Sequence, residues 1–526
     1  MCALSATLRS KPNWWMKVQD RAIRDKWLEE ASGAPPPYGD IPLMSHEVEF
    51  VLNELEWYAN RRDQITGIEP SVYHRIWQSD SLIDEELQSK LVQQVALLED
   101  IPDSAKDWHP NSDGQVLDLV HPSLYPIVYG RTHIYDCYDL RDQHVPIQFP
   151  AHAIDPALDY AVDHGWVIWF LSRHFAWIPT DFAISADGQF AKALGYINNL
   201  NQYTHAEMYP VMEKLVARFV PLWERVLAET DVHYEPPSRV QTDTYEWVPK
   251  TNDSGSDSDS DEDYEDEDML DPEKLELRLP PIHTEFTPYP EPNPVSLKGR
   301  TLQVIVKLAN IHLTPEKPRY PGGSWHVEGM MNESIVSTGL YYYDEENITL
   351  SSLAFRVVVQ EPDVDQDDHR ASEAIYGFGP GDGMNQVLGA VTTEQGRCLA
   401  FPNCYQHQVQ PFELADASKP GHRKILALFL VDPSLSKPRP STSNVPPQQP
   451  EVMRSVLRDI TTSLGPRSGL GRLPLELLDL IVEQSDAVMT RAEAEAFRLE
   501  LMDERRGMVQ KNDEEIFAPT FNMCEH

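Results

Sequence analysis

The chain has 526 residues, enough for two or three domains, or one elaborated domain, around a sizeable core. A hydrophobic content of 41%, with 12 Trp, 21 Tyr and 16 Phe, excludes a wholly disordered polymer. Lys and Arg number 44 against 84 Asp and Glu, and the net charge of -40 excludes nucleic acid as a partner, since no local basic patch relieves the repulsion.

Residues 1–231 read as a mainly helical N-terminal region. Trp14, Trp15, Val18, Ile23 and Trp27 recur at helical spacing, and Val48 to Trp57 repeats the pattern. Asn198 to Leu227 is the longest helical signal, with Pro210 and Pro221 expected to divide it. Gly165 to Ser185 is apolar enough to be core, as a strand pair or a buried helix. Residues 232–272 form an acidic insertion. Asp253 to Asp268 holds ten acids and no base, so it reads as a disordered, solvated loop, and Ser254, Ser256, Ser258 and Ser260 would suit an acidophilic kinase.

Residues 273–436 open with a Pro-rich extended stretch and continue as short strands with irregular loops. Strands are predicted from Thr301, over Leu353–Gln360, Gln386–Val391, Cys398–Phe401, around His407, and over Lys424–Val431, which fits a β-barrel or sandwich. Residues 437–526 are a linker followed by two helices, Leu473–Gln484 and Thr490–Val509, the second charged enough to be placed at the surface. The first contains LPLELLDLIVE, which resembles the opening of an F-box but reads as an ordinary amphipathic helix. The cysteines, Cys2, Cys137, Cys398, Cys404 and Cys524, are odd in number and scattered, as expected of free thiols in a reducing compartment. No apolar run has the length of a signal-peptide core or a membrane helix. The expectation is therefore a cytoplasmic or nuclear protein, neither secreted nor in a membrane.

Chemistry concentrates in Pro321–Asp344 and Gly396–Pro433. His326 and Glu328 stand two residues apart at the start of a segment rich in β-branched and aromatic residues, and on a strand both would share one face. His407 follows the approach Gly396 to Pro402 on a second predicted strand, and Arg423 begins a third, expected to run antiparallel to it. Two imidazoles and a carboxylate on one face of an iron leave positions open for substrate and oxygen. Competing pairs are weaker. His205 and Glu207 fall in a helical pattern that points them apart, and His283 and Glu285 lie among prolines. His369 and His422 read as surface histidines in a loop and a turn.

These residues resemble the Fe(II)/2-oxoglutarate-dependent dioxygenase superfamily. The matching pattern is His-x-Asp/Glu, then Gly-x-x-x-x-Phe-Pro leading to a distal His, then Arg on the next strand; here it is His326-Val327-Glu328, Gly396 to Pro402, His407 and Arg423. Glu328 stands where Asp is commoner, and Arg423 lies further from the distal His than is usual. The resemblance implies an α+β protein with a double-stranded β-helix (jelly-roll) core. It also implies Fe(II) held by His326, Glu328 and His407, and 2-oxoglutarate anchored by Arg423. The implied reaction is hydroxylation, or demethylation through a hydroxymethyl group, of an unknown substrate, a small molecule or a basic protein, with 2-oxoglutarate converted to succinate. More of the chain, from KPNWWMKVQDRAIRDKWLEEA to the tail AEAEAFRLELMDERR, resembles a fungal family known only as a domain of unknown function. Two other readings keep the barrel: a non-catalytic scaffold whose acidic loop recruits basic partners, and a cupin-like metalloenzyme without a cosubstrate.

Overall fold

The computed structural model describes residues 1–33, 43–135, 144–146, 170–235, 245–250, 275–278, 285–361, 364–365, 368–377, 379–464 and 472–521. The acidic run 253–268, Cys137, Cys524, His283 and the start of the apolar stretch from Gly165 lie outside them. The described part is a mixed helix and sheet fold, and every strand pairing in it is antiparallel.

The strands used below are β1 (Glu69–Pro70), β2 (Trp77–Ser79), β3 (Val116–Val120), β4 (Thr180–Ile184), β5 (Ala191–Ala193), β6 (Thr301–Leu313), β7 (Ile335–Glu346), β8 (Ser352–Val358), β9 (Asn385–Thr392), β10 (Cys398–Pro402), β11 (Gln406–Val409) and β12 (Gly421–Val431). A nine-stranded sheet runs β1-β2-β10-β7-β12-β6-β4-β5, with β3 pairing β6 off this path. A three-stranded sheet runs β9-β8-β11. The large sheet is covered on both faces, which explains why β6 and β12 read as nearly continuous apolar runs. Leu302, Val304, Val306 and Leu308 pack into one core, while Ile305 of the same strand packs into another with Leu340, Tyr342 and Phe429.

The first core lies under two helices, α1 (Glu85–Glu99) and α2 (Met208–Glu229). Contrary to expectation, α2 is not divided by its prolines and begins at Met208, not Asn198. Pro210 falls in the first turn, where a missing N–H costs nothing, and the helix runs through Pro221. A mid-helix proline costs about 3 kcal/mol. Burial of Met212, Leu215, Phe219, Leu222, Trp223 and Val226 offsets it, at about 1.5 to 3 kcal/mol for each large side chain.

The region 1–231 does hold helices, and Trp14, Val18, Trp27, Val48 and Leu55 form a core of their own. It also supplies five strands, β1 to β5, to the large sheet, so that sheet draws on both sides of the expected boundary at 231. These strands are short, from two to five residues, too brief to carry a periodic signal. The last long helix, α3 (Arg491–Asn512), is a second departure. It was expected at the surface, yet Ala494, Arg498, Leu501 and Met508 are buried. Its charges mislead because two of its arginines are ion-paired inside the protein.

Candidate metal centre

His326 is not on a continuous strand, as its pattern suggested. It makes one isolated bridge to His407: its N–H donates to the His407 carbonyl at 3.2 Å, and its carbonyl accepts from the His407 N–H at 3.0 Å. Gly322 lets the chain come this close. Its φ is +92°, and a Cβ there would lie 2.8 Å from the Val409 carbonyl oxygen of β11. Glu328 is fixed by its backbone, whose N–H donates to Asn403 Oδ1 at 2.8 Å while Asn403 Nδ2 donates to the Glu328 carbonyl, also at 2.8 Å. Asn403 thus ties the loop bearing the carboxylate to the turn that leads into His407.

The three side chains converge. His407 Nε2 is 3.4 Å and His326 Nε2 3.7 Å from Glu328 Oε1, and one ligand atom from each lies within 4.8 Å of the others. His326 Nδ1 lies 2.8 Å from the Ser324 carbonyl, so Nδ1 carries a hydrogen and Nε2 is the ring atom turned to the cluster. Burial opposes the charge on Glu328, but bonds from the two imidazoles outweigh it and hold the carboxyl well below its usual range. Burial, reinforced by His326, pushes His407 down, which favours its neutral form. An ionised carboxylate and two imidazole nitrogens are the donor set of a divalent transition-metal site with open positions.

Arg423 lies on β12 in the large sheet, whereas His407 lies on β11 in the small one, which pairs with β8. The expected neighbouring strands are therefore opposed ones, and both residues line one cavity of about 530 Å³. Arg423 is 0% exposed, makes no ion pair among the described residues, and forms no well-aligned hydrogen bond there, with the Tyr342 side chain as its polar neighbour. Its guanidinium rests 4.6 Å from the Tyr342 ring and 5.5 Å from Phe412. A buried, unpaired cation is costly, and an anionic ligand relieves that cost.

The weaker candidates stay apart from this cluster. His422 pairs with Asp344 at 3.0 Å, His369 opens a short helix, and His205 lies in the turn before α2. A second cluster, absent from the sequence reading, is His109, Asp118 and His121. It is poorly suited to a metal. Arg498 of α3 holds Asp118 Oδ2, and His121 Nδ1 accepts the Ser123 N–H at 3.2 Å, so the hydrogen of a neutral His121 sits on Nε2, towards Asp118.

The sequence reading also missed α3 as a wall of the cavity, through Met502, Arg505 and Met508, and Lys307 as part of its floor. Arg505 lies 3.7 Å over the Trp177 ring and is ion-paired with Glu333. Lys307 did carry a signal: one cation inside the apolar run of a doubly covered strand must find a polar cavity.

A family described as "Protein of unknown function (DUF4246)" matches residues 45–456, and the chain belongs to it. A comparison with curated proteins found no match. Among solved structures, IDO from Bacillus thuringiensis aligns at 13% identity, covering 26% of this chain and 47% of its own, with a TM-score of 0.16. The Fe(II)/(alpha)ketoglutarate-dependent dioxygenase TqaL aligns at 10% identity, covering 68% and 96%, with a TM-score of 0.24. EvdO2 from Micromonospora carbonacea var. aurantiaca, complexed with 2-oxoglutarate, aligns at 12% identity, covering 26% and 56%, with a TM-score of 0.14. The chain thus spans about half the length of the first of these. Such scores are too low to establish a shared fold. No helix among the described residues is long and apolar enough to cross a membrane.

Proposed function

We propose that this member of the family is an Fe(II)- and 2-oxoglutarate-dependent oxygenase acting on a small molecule. The observation that carries the reading is Arg423, a fully buried guanidinium without a counter-ion among the described residues, in the same cavity as two histidines and a carboxylate in contact. A structural arginine would have been paired; one that waits for a dianion explains its own burial. The two opposed antiparallel sheets, with His407 on the small one and Arg423 on the large one, support a double-stranded β-helix as the core.

In this reading His326, His407 and Glu328 hold the iron, and Arg423 takes the remote carboxylate of the cosubstrate as a planar fork. Bound together, iron and 2-oxoglutarate supply the oxidising power to insert one atom of O2 into a substrate C–H bond, the other atom entering succinate as CO2 leaves. The chain's own residues hold this assembly in place. Leu340, Phe429 and Met502 give the cavity apolar walls, Asn403 fixes the backbone of Glu328, and the Ser324 carbonyl orients the ring of His326. A cavity of about 530 Å³ admits a metabolite-sized substrate, not a folded protein segment.

The test is anaerobic addition of Fe(II) and 2-oxoglutarate to the purified protein. The expected result is a weak visible charge-transfer band, formed by wild type, absent in His407→Ala, and needing at least about tenfold more 2-oxoglutarate in Arg423→Ala. Bound metal without a band at any 2-oxoglutarate concentration would remove the cosubstrate from the assignment. Failure to bind metal would remove the assignment altogether.

A further inference from the structure

Lys307 has no role in the chemistry above, and its surroundings require one. It lies on β6 opposite Ala427, on the sheet face that carries Ala309, Ile311, Arg423 and Phe429 into the cavity. Among the described residues its ammonium makes no hydrogen bond and no ion pair. The buried carboxylate within its field, Asp118, is already held by Arg498 and, at 2.8 Å, by His109 Nδ1. Arg505, another cation lining the cavity, is neutralised by Glu333. In a chain of net charge -40, an unneutralised ammonium kept inside a cavity is an exception that needs a ligand.

We infer that Lys307 is the anion-binding group of the substrate site, and that the substrate carries a carboxylate or a phosphate. This rests on the oxygenase reading, and two arguments lead to it. The first is charge. With a divalent cation and dianionic 2-oxoglutarate in place, their charges cancel, as do those of Glu328 and Arg423, and Lys307 is left as the uncompensated charge of the cavity. The second is position. Arg423 pairs with Ile311, four residues along β6 from Lys307 and on the same face. That places their Cα atoms about 13 Å apart along the strand. The four carbon–carbon bonds of 2-oxoglutarate span at most about 6 Å, so a cosubstrate anchored on Arg423 leaves the Lys307 end of the face to another molecule. Lys307 and His326 line the same cavity, which sets a substrate anion held there near the metal site.

The experiment measures binding, not turnover. Protein loaded with Mn(II) and saturating 2-oxoglutarate is titrated with matched probes: small carboxylic acids against their primary amides, and phosphate monoesters against their parent alcohols. Ligand NMR with metal-induced relaxation reads both affinity and proximity to the metal. The expected result is a preference of roughly tenfold or more for the acid of at least one pair, kept in Lys307→Arg and reduced to about one in Lys307→Met. Which pair shows it separates carboxylate from phosphate. Acids no better than amides in wild type, or an equal preference in Lys307→Met, would overturn the proposal while leaving the oxygenase reading intact. A loss of 2-oxoglutarate affinity in Lys307→Met matching that in Arg423→Ala would make Lys307 a cosubstrate anchor and also overturn it. If Mn(II) and 2-oxoglutarate fail to bind, the oxygenase reading falls. The acid-to-amide ratio on metal-free protein, by calorimetry, then decides whether Lys307 binds anions.

Discussion

A guanidinium buried without a counter-ion costs more than its ring contacts return until an anion arrives, so Arg423 is expected to trade stability for binding. Arg423→Met keeps most of the volume and removes the uncompensated charge, and should raise the melting temperature of the ligand-free protein while abolishing the stabilisation that 2-oxoglutarate gives wild type. Thermal denaturation with and without 2-oxoglutarate decides it; a lower melting temperature for the ligand-free variant would mean that the arginine is satisfied by the protein itself. His121 gives the opposite kind of prediction. Burial outweighs the attraction of Asp118 and pushes its pKa well below the usual histidine value. The unfolded chain therefore binds the proton first as pH falls, and stability is fully present above the unfolded value of about 6.5 and declines below it. His121→Gln should flatten the loss of stability between pH 7 and pH 5, as read from denaturant midpoints across that range.

At the scale of elements, the decisive piece is α3. Its patterning describes a charged surface helix, but Arg498 reaches Asp107 at 2.6 Å and holds Asp118, fastening the C-terminal end of the chain to β3. Arg498→Ala takes the arginine from the deeply buried Asp118, while Asp107 keeps Arg491 at 3.3 Å, and should cost about 3 to 5 kcal/mol in chemical denaturation. A cost under about 1 kcal/mol, the range of an exposed pair, would show that the helix does not depend on this contact. His326 makes a related point. One backbone bridge to His407, made possible by Gly322 and braced by Asn403, does the work that a full strand was expected to do.

For the molecule as a whole, the field at a distance is set by the net charge of -40, whereas Arg423 and Lys307 act only within about a Debye length, roughly 10 Å at 0.1 M salt. A dianion approaching from solvent meets repulsion before it meets the cavity. The association rate of 2-oxoglutarate should therefore rise as salt is increased from about 10 mM to 150 mM, measured by stopped flow on the charge-transfer band. A rate that falls with salt would mean that local cations dominate the approach. Much of this charge lies on folded surface, since the run 253–268 supplies only ten acids.

The sequence singled out the His326 and Glu328 pair and the strands near His407 and Arg423 by local spacing and apolar alternation, which are properties of neighbouring residues, and the resemblance to a known family joined the four residues into one site. The sequence also placed the N-terminal helices, whose tryptophans and leucines keep a helical period over several turns. The tertiary structure decided the rest: that five short strands from the first half of the chain join the large sheet, that α2 runs through Pro221, and that α3 closes the cavity. It also decided which cations are ion-paired, Arg498 and Arg505, and which line the cavity without a counter-ion, Arg423 and Lys307. Strands of two to five residues carry too little pattern to announce themselves. A buried charge differs from an exposed one only by the partner that folding brings to it from a distant part of the chain.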